Sequence, residues 1–152
     1  RTQYRRPEPY LHLGSVVERK GEYAVCVQPL CDSVRLSTDT AFPLLILDVP
    51  ALGATGAGII EFQDLGASVA GWKRLKIEPS PTALRIVRFV PIDGAVRARK
   101  DHGKLRFRAV NRTLWRWVGE LKPDHAQRVA EQLASTFSRV GLTDPELLRL
   151  KS

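Results

Sequence analysis

The chain has no methionine, only two cysteines and three histidines, and no apolar run longer than residues 42–47. Each absence excludes something. Six apolar residues fall far short of the ~20 that a bilayer-spanning helix needs. Residues 1–10 hold three arginines with no apolar stretch behind them, so neither a membrane segment nor a secretion signal is read there. Cys26 and Cys31 are too few for a disulfide framework or a zinc site, and Cys26 lies in an apolar run. That usage predicts reduced thiols in a cytoplasm. His12, His102 and His125 are far apart, with no His-x-x-x-His or Cys-x-x-Cys spacing, so no metal site is expected. A Gly-x-x-x-x-Gly-Lys-Ser/Thr loop is also missing. Gly53, Gly56 and Gly58 lie in an uncharged small-residue stretch without strand-turn-helix context, so a mobile loop is expected and no cofactor. With no methionine at position 1 or elsewhere, the chain reads as a piece of something longer.

What is present is ordinary in bulk and uneven in distribution. The 152 residues suit one domain, and 43% hydrophobic against 26% charged residues can bury a core. Net charge is +8, yet residues 72–118 hold 13 Lys/Arg against Glu78, Asp93 and Asp101, while the rest of the chain is slightly acidic. A concentrated basic segment is the footprint expected for a phosphate backbone or another acidic surface. Its alternative is the solvated outer face of a sheet.

Period-two patterning dominates. After a polar, proline-bearing arm at residues 1–10, segments 15–18 and 22–28 flank Lys20-Gly21 as a hairpin. Tyr23, Val25 and Val27 fall on one side and Ala24, Cys26 and Gln28 on the other, both mostly apolar. Residues 34–36 and 43–47 read as strands, the second central, and 50–58 as a loop. Strands are then expected at 59–63, 72–78, 83–90, 95–100, 104–110 and 113–118, the last four separated by Asp93-Gly94, His102-Gly103 and Asn111-Arg112. In 104–108 the apolar Leu105 and Phe107 alternate with Lys104, Arg106 and Arg108, which predicts a row of cations on one sheet face. Residues 123–140 carry one apolar stripe from Ala126 to Val140, opened by Pro123 and Asp124 and followed by Gly141, so a helix is expected. A Thr143-x-x-Glu146 capping box opens a second helix at about 144–150.

Two clusters carry chemistry. Cys31 beside Asp32 is a candidate thiol that His12 could approach as a base, but an adjacent carboxylate disfavours a thiolate, so a structural turn is expected and no catalytic residue is assigned. The stronger cluster is Arg97, Arg99, Lys100, Lys104, Arg106, Arg108, Arg112 and Arg116, interleaved with Phe107, Trp115 and Trp117. Cations for phosphates and rings for stacking are the ingredients of a nucleic-acid surface. Arginine forks also bind carboxylates, which keeps an acidic protein partner open.

Residues 21–32 (GEYAVCVQPLCD), 72–81, 84–89 (LRIVRF), 116–128 (RWVGELKPDHAQR) and 138–142 (SRVGL), followed by Pro145 and Glu146, resemble the C-terminal region of bacterial proteins that carry a response receiver domain. The resemblance spans nearly the whole chain. It implies a module downstream of a receiver, in two-component-like proteins encoded with histidine-kinase-like partners and associated with stress or phage defence. No acidic pocket with a phosphorylatable Asp is found, so no phosphoacceptor carries over. The first hairpin is also similar to the SH3-like barrels of toxin endoribonucleases over about the first third of the chain. Their catalytic Arg and Ser/Thr pair has no counterpart that can be placed.

The sequence therefore predicts a mainly β fold with C-terminal helices, a partly open antiparallel barrel with an SH3-like element, capped by an amphipathic helix. The expected function is a non-catalytic effector or interaction module of a bacterial signalling or defence protein, binding an acidic partner, nucleic acid ahead of an acidic protein surface, through the basic sheet face. Two alternatives stand beside it. One is an RNA-cleaving domain using an arginine of that face with His12 or His102; the other is a domain that docks on a missing receiver.

Overall fold

Turn chemistry sets the hairpins. Lys20-Gly21, Asp93-Gly94 and His102-Gly103 each place two successive residues at positive φ, from +50° to +86°. That is the geometry whose twist matches a two-residue hairpin, and the second position favours glycine because it has no Cβ. The computed structural model describes residues 8–56, 58–64, 66 and 71–139. Its strands are β1 (Ser15–Arg19), β2 (Glu22–Cys26), β3 (Thr40–Ile46), β4 (Ile59–Asp64), β5 (Gly71–Lys76), β6 (Leu84–Phe89), β7 (Arg99–Asp101), β8 (Lys104–Arg108) and β9 (Leu114–Glu120), followed by helix α1 (Pro123–Arg139).

Seven strands form one antiparallel sheet in the order β6-β3-β2-β1-β9-β8-β7, and β4-β5 form a separate hairpin. The large sheet is not closed into a barrel. At one seam its margins meet, where Phe89 bridges Ala109 and Val110 N donates to the Arg88 carbonyl at 2.9 Å. Pro43 sits inside β3, where its missing donor coincides with the end of the β2 ladder: its carbonyl accepts from Val27 N, one residue past β2.

Alternation sends side chains into two cores, one on each face of the sheet. Val17, Ala24, Cys26, Phe42, Leu44, Phe89, Phe107 and Trp115 pack on the inner face. Val16, Tyr23, Val25 and Val27 face outward and are covered by Ile60 and Leu75 of the β4-β5 hairpin and by Val129, Leu133 and Phe137 of α1. Both faces of β2 are thus buried, as its sequence predicts. The start of α1 is pinned through Gly14, at φ +92°, which accepts from Leu121 N and would bring a Cβ to 3.0 Å of the Ala126 side chain. Among the described residues no helix is long and apolar enough to cross a membrane.

Some boundaries differ from expectation. Pro9 and Tyr10 belong to the fold rather than to an arm, because Ala98 N donates to the Pro9 carbonyl and Tyr10 bridges Arg97. Residues 34–36 supply a single bridge, Leu36 to Gly94, after a 3-10 turn at Leu30–Ser33. The short helix expected at 144–150, and Val140 at the end of the long one, lie outside the described residues.

Candidate nucleic-acid interface

Strand register lines up one row of side chains across five strands. Tyr23 opposes Glu18, Glu18 opposes Arg116, Arg116 opposes Arg106, and Arg106 opposes Arg99. Directly opposed residues share a face, so the row crosses from the covered part of the outer face to the uncovered part. Three arginines side by side repel, and the structure answers that repulsion differently at each position.

Arg116 lies at the covered end, its side chain only 7% exposed. Its Nη1 and Nη2 donate to the two carboxylate oxygens of Asp64 at 2.8 and 2.7 Å, and its Nε donates to Glu18 Oε1 at 2.9 Å. Tyr23 Oη donates to Asp64 Oδ2 at 2.6 Å and Gly66 N to Oδ1 at 3.2 Å, so the buried carboxylate is fully engaged. The arginine holds the Asp64 carboxyl down at about 2, while burial and the same carboxylate push the Tyr23 phenol up to about 12. Gly66 lies so close that a Cβ there would meet Arg116 Nη1 at 2.8 Å. Arg116 is therefore the clamp that fastens the β4-β5 hairpin to the large sheet, not a free cation of the basic face.

Beyond the hairpin's reach the arginines stay wet. Arg106 Nη1 donates to Asp101 Oδ2 at 2.6 Å. Arg97 is oriented by the carbonyls of Ile92 and Asp93. Arg99, Arg108 and Arg112 have no ion pair or side-chain hydrogen bond among the described residues, and all three are exposed. Two clefts run along this region. One, of about 720 Å³, is lined by Arg97, Arg99, Arg106, Arg108 and Arg112 with Asp101 and several aliphatic side chains. The other, of about 800 Å³, is lined by Arg19, Lys20, Lys73, Lys104, Arg106, Arg112 and the Arg116 clamp. Arg106, Arg112 and Leu114 line both clefts.

Of the eight sequence-predicted residues, six thus line these clefts outside the clamp, Arg106 among them already paired with Asp101. Arg116 is withdrawn into the clamp, and Lys100 sits opposite Leu105, on the other sheet face from Arg99 and Arg106, and lines neither cleft. The expected stacking rings are also absent from this face. Phe107 and Trp115 are buried in the inner core and Trp117 packs against it, because the positions that alternate with the cations must fill that core. Sequence reasoning missed Arg19, Lys20 and Lys73, which reach the second cleft from a turn and from the other sheet.

His12 uses Nδ1 on the Leu13 carbonyl at 2.8 Å and Nε2 on Glu120 at 3.1 Å, so both ring nitrogens are engaged by groups other than Cys31. The 3-10 turn that contains Cys31 is held by Asp32 N and Ser33 Oγ on the Pro29 carbonyl. Burial pushes the Cys26 thiol up to about 12, which makes it inert at neutral pH. Against known proteins, no family model, no curated sequence and no solved structure matches the chain.

Proposed function

We propose that the protein binds nucleic acid through its phosphate backbone, on the uncovered outer face of β7, β8 and β9, as an interaction module without turnover. One observation carries this reading: Arg99, Arg108 and Arg112 stand unpaired among the described residues beside two contiguous cation-lined clefts, while the acidic groups nearby are already committed to Arg106 and Arg116. Guanidinium forks suit phosphate oxygens, and solvated arginines give up little to make those bonds. With the rings turned inward, recognition rests on charge and shape, so binding is expected to be indifferent to sequence. In this reading the resemblance to receiver-bearing proteins makes the module an output end whose ligand is nucleic acid.

Titration of labelled duplex DNA, duplex RNA and single-stranded RNA at two salt concentrations tests it. Arg99→Ala and Arg108→Ala should each lower the slope of log affinity against log salt by about one. Salt-insensitive binding, or none at low salt, overturns the reading and favours an acidic protein partner or a docking domain.

Strand cleavage is a second reading with its own observation. Asp101 contacts His102 Nε2 at 3.6 Å as well as Arg106, placing an imidazole beside a guanidinium on the β7-β8 turn. The His102 side chain is 88% exposed, so nothing there excludes water or orients a strand. Metal-independent cleavage on a gel, lost in His102→Ala, would establish this reading instead.

A further inference from the structure

The two clefts differ in their floors. The second has one large aliphatic residue, Leu114, whereas the first has Val90, Ile92, Val110 and Leu114. Val90, Val110 and Leu114 are 41%, 45% and 38% exposed. A groove that met only phosphates would have no use for exposed branched side chains gathered at one place. They collect at the seam where the bridge between Phe89 and Ala109 brings the sheet margins together, and unpaired arginines flank them.

Arg112 joins the two clefts. It stands at φ +70°, the left-handed region, in the turn between β8 and β9 where glycine or asparagine is the usual occupant. Lys20, Arg35, Asp93 and His102 share that region, so what sets Arg112 apart is that the turn presents an unpaired guanidinium that lines both clefts.

We propose that the first cleft holds one unpaired nucleotide, its base against Val90, Val110 and Leu114 and its phosphates on Arg99, Arg108 and Arg112. A base has flat apolar faces and a charged tail, which matches an aliphatic floor bordered by guanidinium groups; apolar side chains serve as base platforms where rings are absent. The nucleotide could be an unpaired strand end or a free nucleoside polyphosphate, the same chemistry from two sources. The choice of a nucleotide over an acidic peptide rests on the backbone reading, because Arg106 and Arg112 join this cleft to the cation-lined one.

The test compares a blunt duplex with the same duplex bearing a short single-stranded overhang, and ATP with inorganic triphosphate. The overhang, or ATP over triphosphate, should gain about tenfold in affinity. That gain should vanish in Val90→Ser and Val110→Ser, exposed positions that leave charge unchanged and can be checked for folding by thermal melt. Blunt-duplex binding should persist in both variants. A gain for ATP without one for the overhang supports the site and assigns the free nucleotide. If neither gains, or if the serine variants keep the gain, the site is overturned, while blunt-duplex binding still supports the backbone reading. If ATP gains but no duplex binds, the site stands and the backbone reading falls.

Discussion

Arg116 and Arg99 belong to the same cross-strand row, two strands apart, yet do opposite work. Over Arg116 the β4-β5 hairpin excludes water, so the guanidinium must be matched by Asp64 and Glu18 or leave an unpaired buried charge. Over Arg99 nothing in the described structure reaches, and the same group remains hydrated and free to meet a partner. The difference teaches that a basic residue marks a binding surface only where the fold leaves it uncovered. What covers it is decided by a hairpin from another part of the chain.

Substitutions at the two ends should separate these roles. The largest effect is expected from Arg116→Met, which strands Asp64 in the interior and should cost about 3–5 kcal/mol in denaturant unfolding. Adding Asp64→Leu should recover much of that loss, since removing both partners also removes the desolvation penalty. A single variant as stable as the wild type would erase the contrast.

Acid should act on the clamp next. Asp64 is depressed from 3.8 to about 2, so its contribution is fully present above pH 3.8 and is lost as pH falls through about 2. Melts between pH 4 and 2 should show a loss on the order of 2 kcal/mol, missing from the Asp64→Leu/Arg116→Met pair. Tyr23 has the opposite sign, raised from 10.0 to about 12, so its contribution holds below pH 10.0 and is lost as pH rises through about 12.

A smaller effect, reversed in sign, is expected at Arg112. Arg112→Gly relieves the positive φ and should raise stability by up to about 1 kcal/mol while weakening ligand binding. Lost stability with unchanged affinity would make Arg112 an ordinary turn residue. Smallest of all on stability are Arg99→Ala and Arg108→Ala, within about 0.5 kcal/mol, though both should flatten the salt dependence of binding.

Much of the architecture was legible locally. The Lys20-Gly21, Asp93-Gly94 and His102-Gly103 turns, the alternation in β8 and the stripe of Val129, Leu133 and Phe137 involve neighbours a few residues apart, and the structure contains each. Nothing local marked Arg116 as buried: of its same-face neighbours two residues away, Val118 packs against the covered core but Leu114 is 38% exposed. Its partner could not have been named, because Asp64 is 52 residues away on a different sheet. Lys73 reached the cleft in the same hidden way. Whether the rings stack on a ligand or fill the core was open in the sequence, because alternation says that Phe107, Trp115 and Trp117 share a side without saying which side closes on itself; the structure puts them in the core.

By itself the sequence determined which segments extend, where they reverse, which residues share a face, and that positive charge gathers between residues 72 and 118. These follow from backbone sterics and side-chain period, which act over a few residues. Tertiary structure alone decided that β1 joins β9 and β3 joins β6, that the β4-β5 hairpin covers Arg116, and that Arg19, Lys20 and Lys73 join six cations of the basic segment on two clefts. Those outcomes follow from burying apolar surface between segments far apart in the chain, and burial sets whether a charge is paired inside or left free in water.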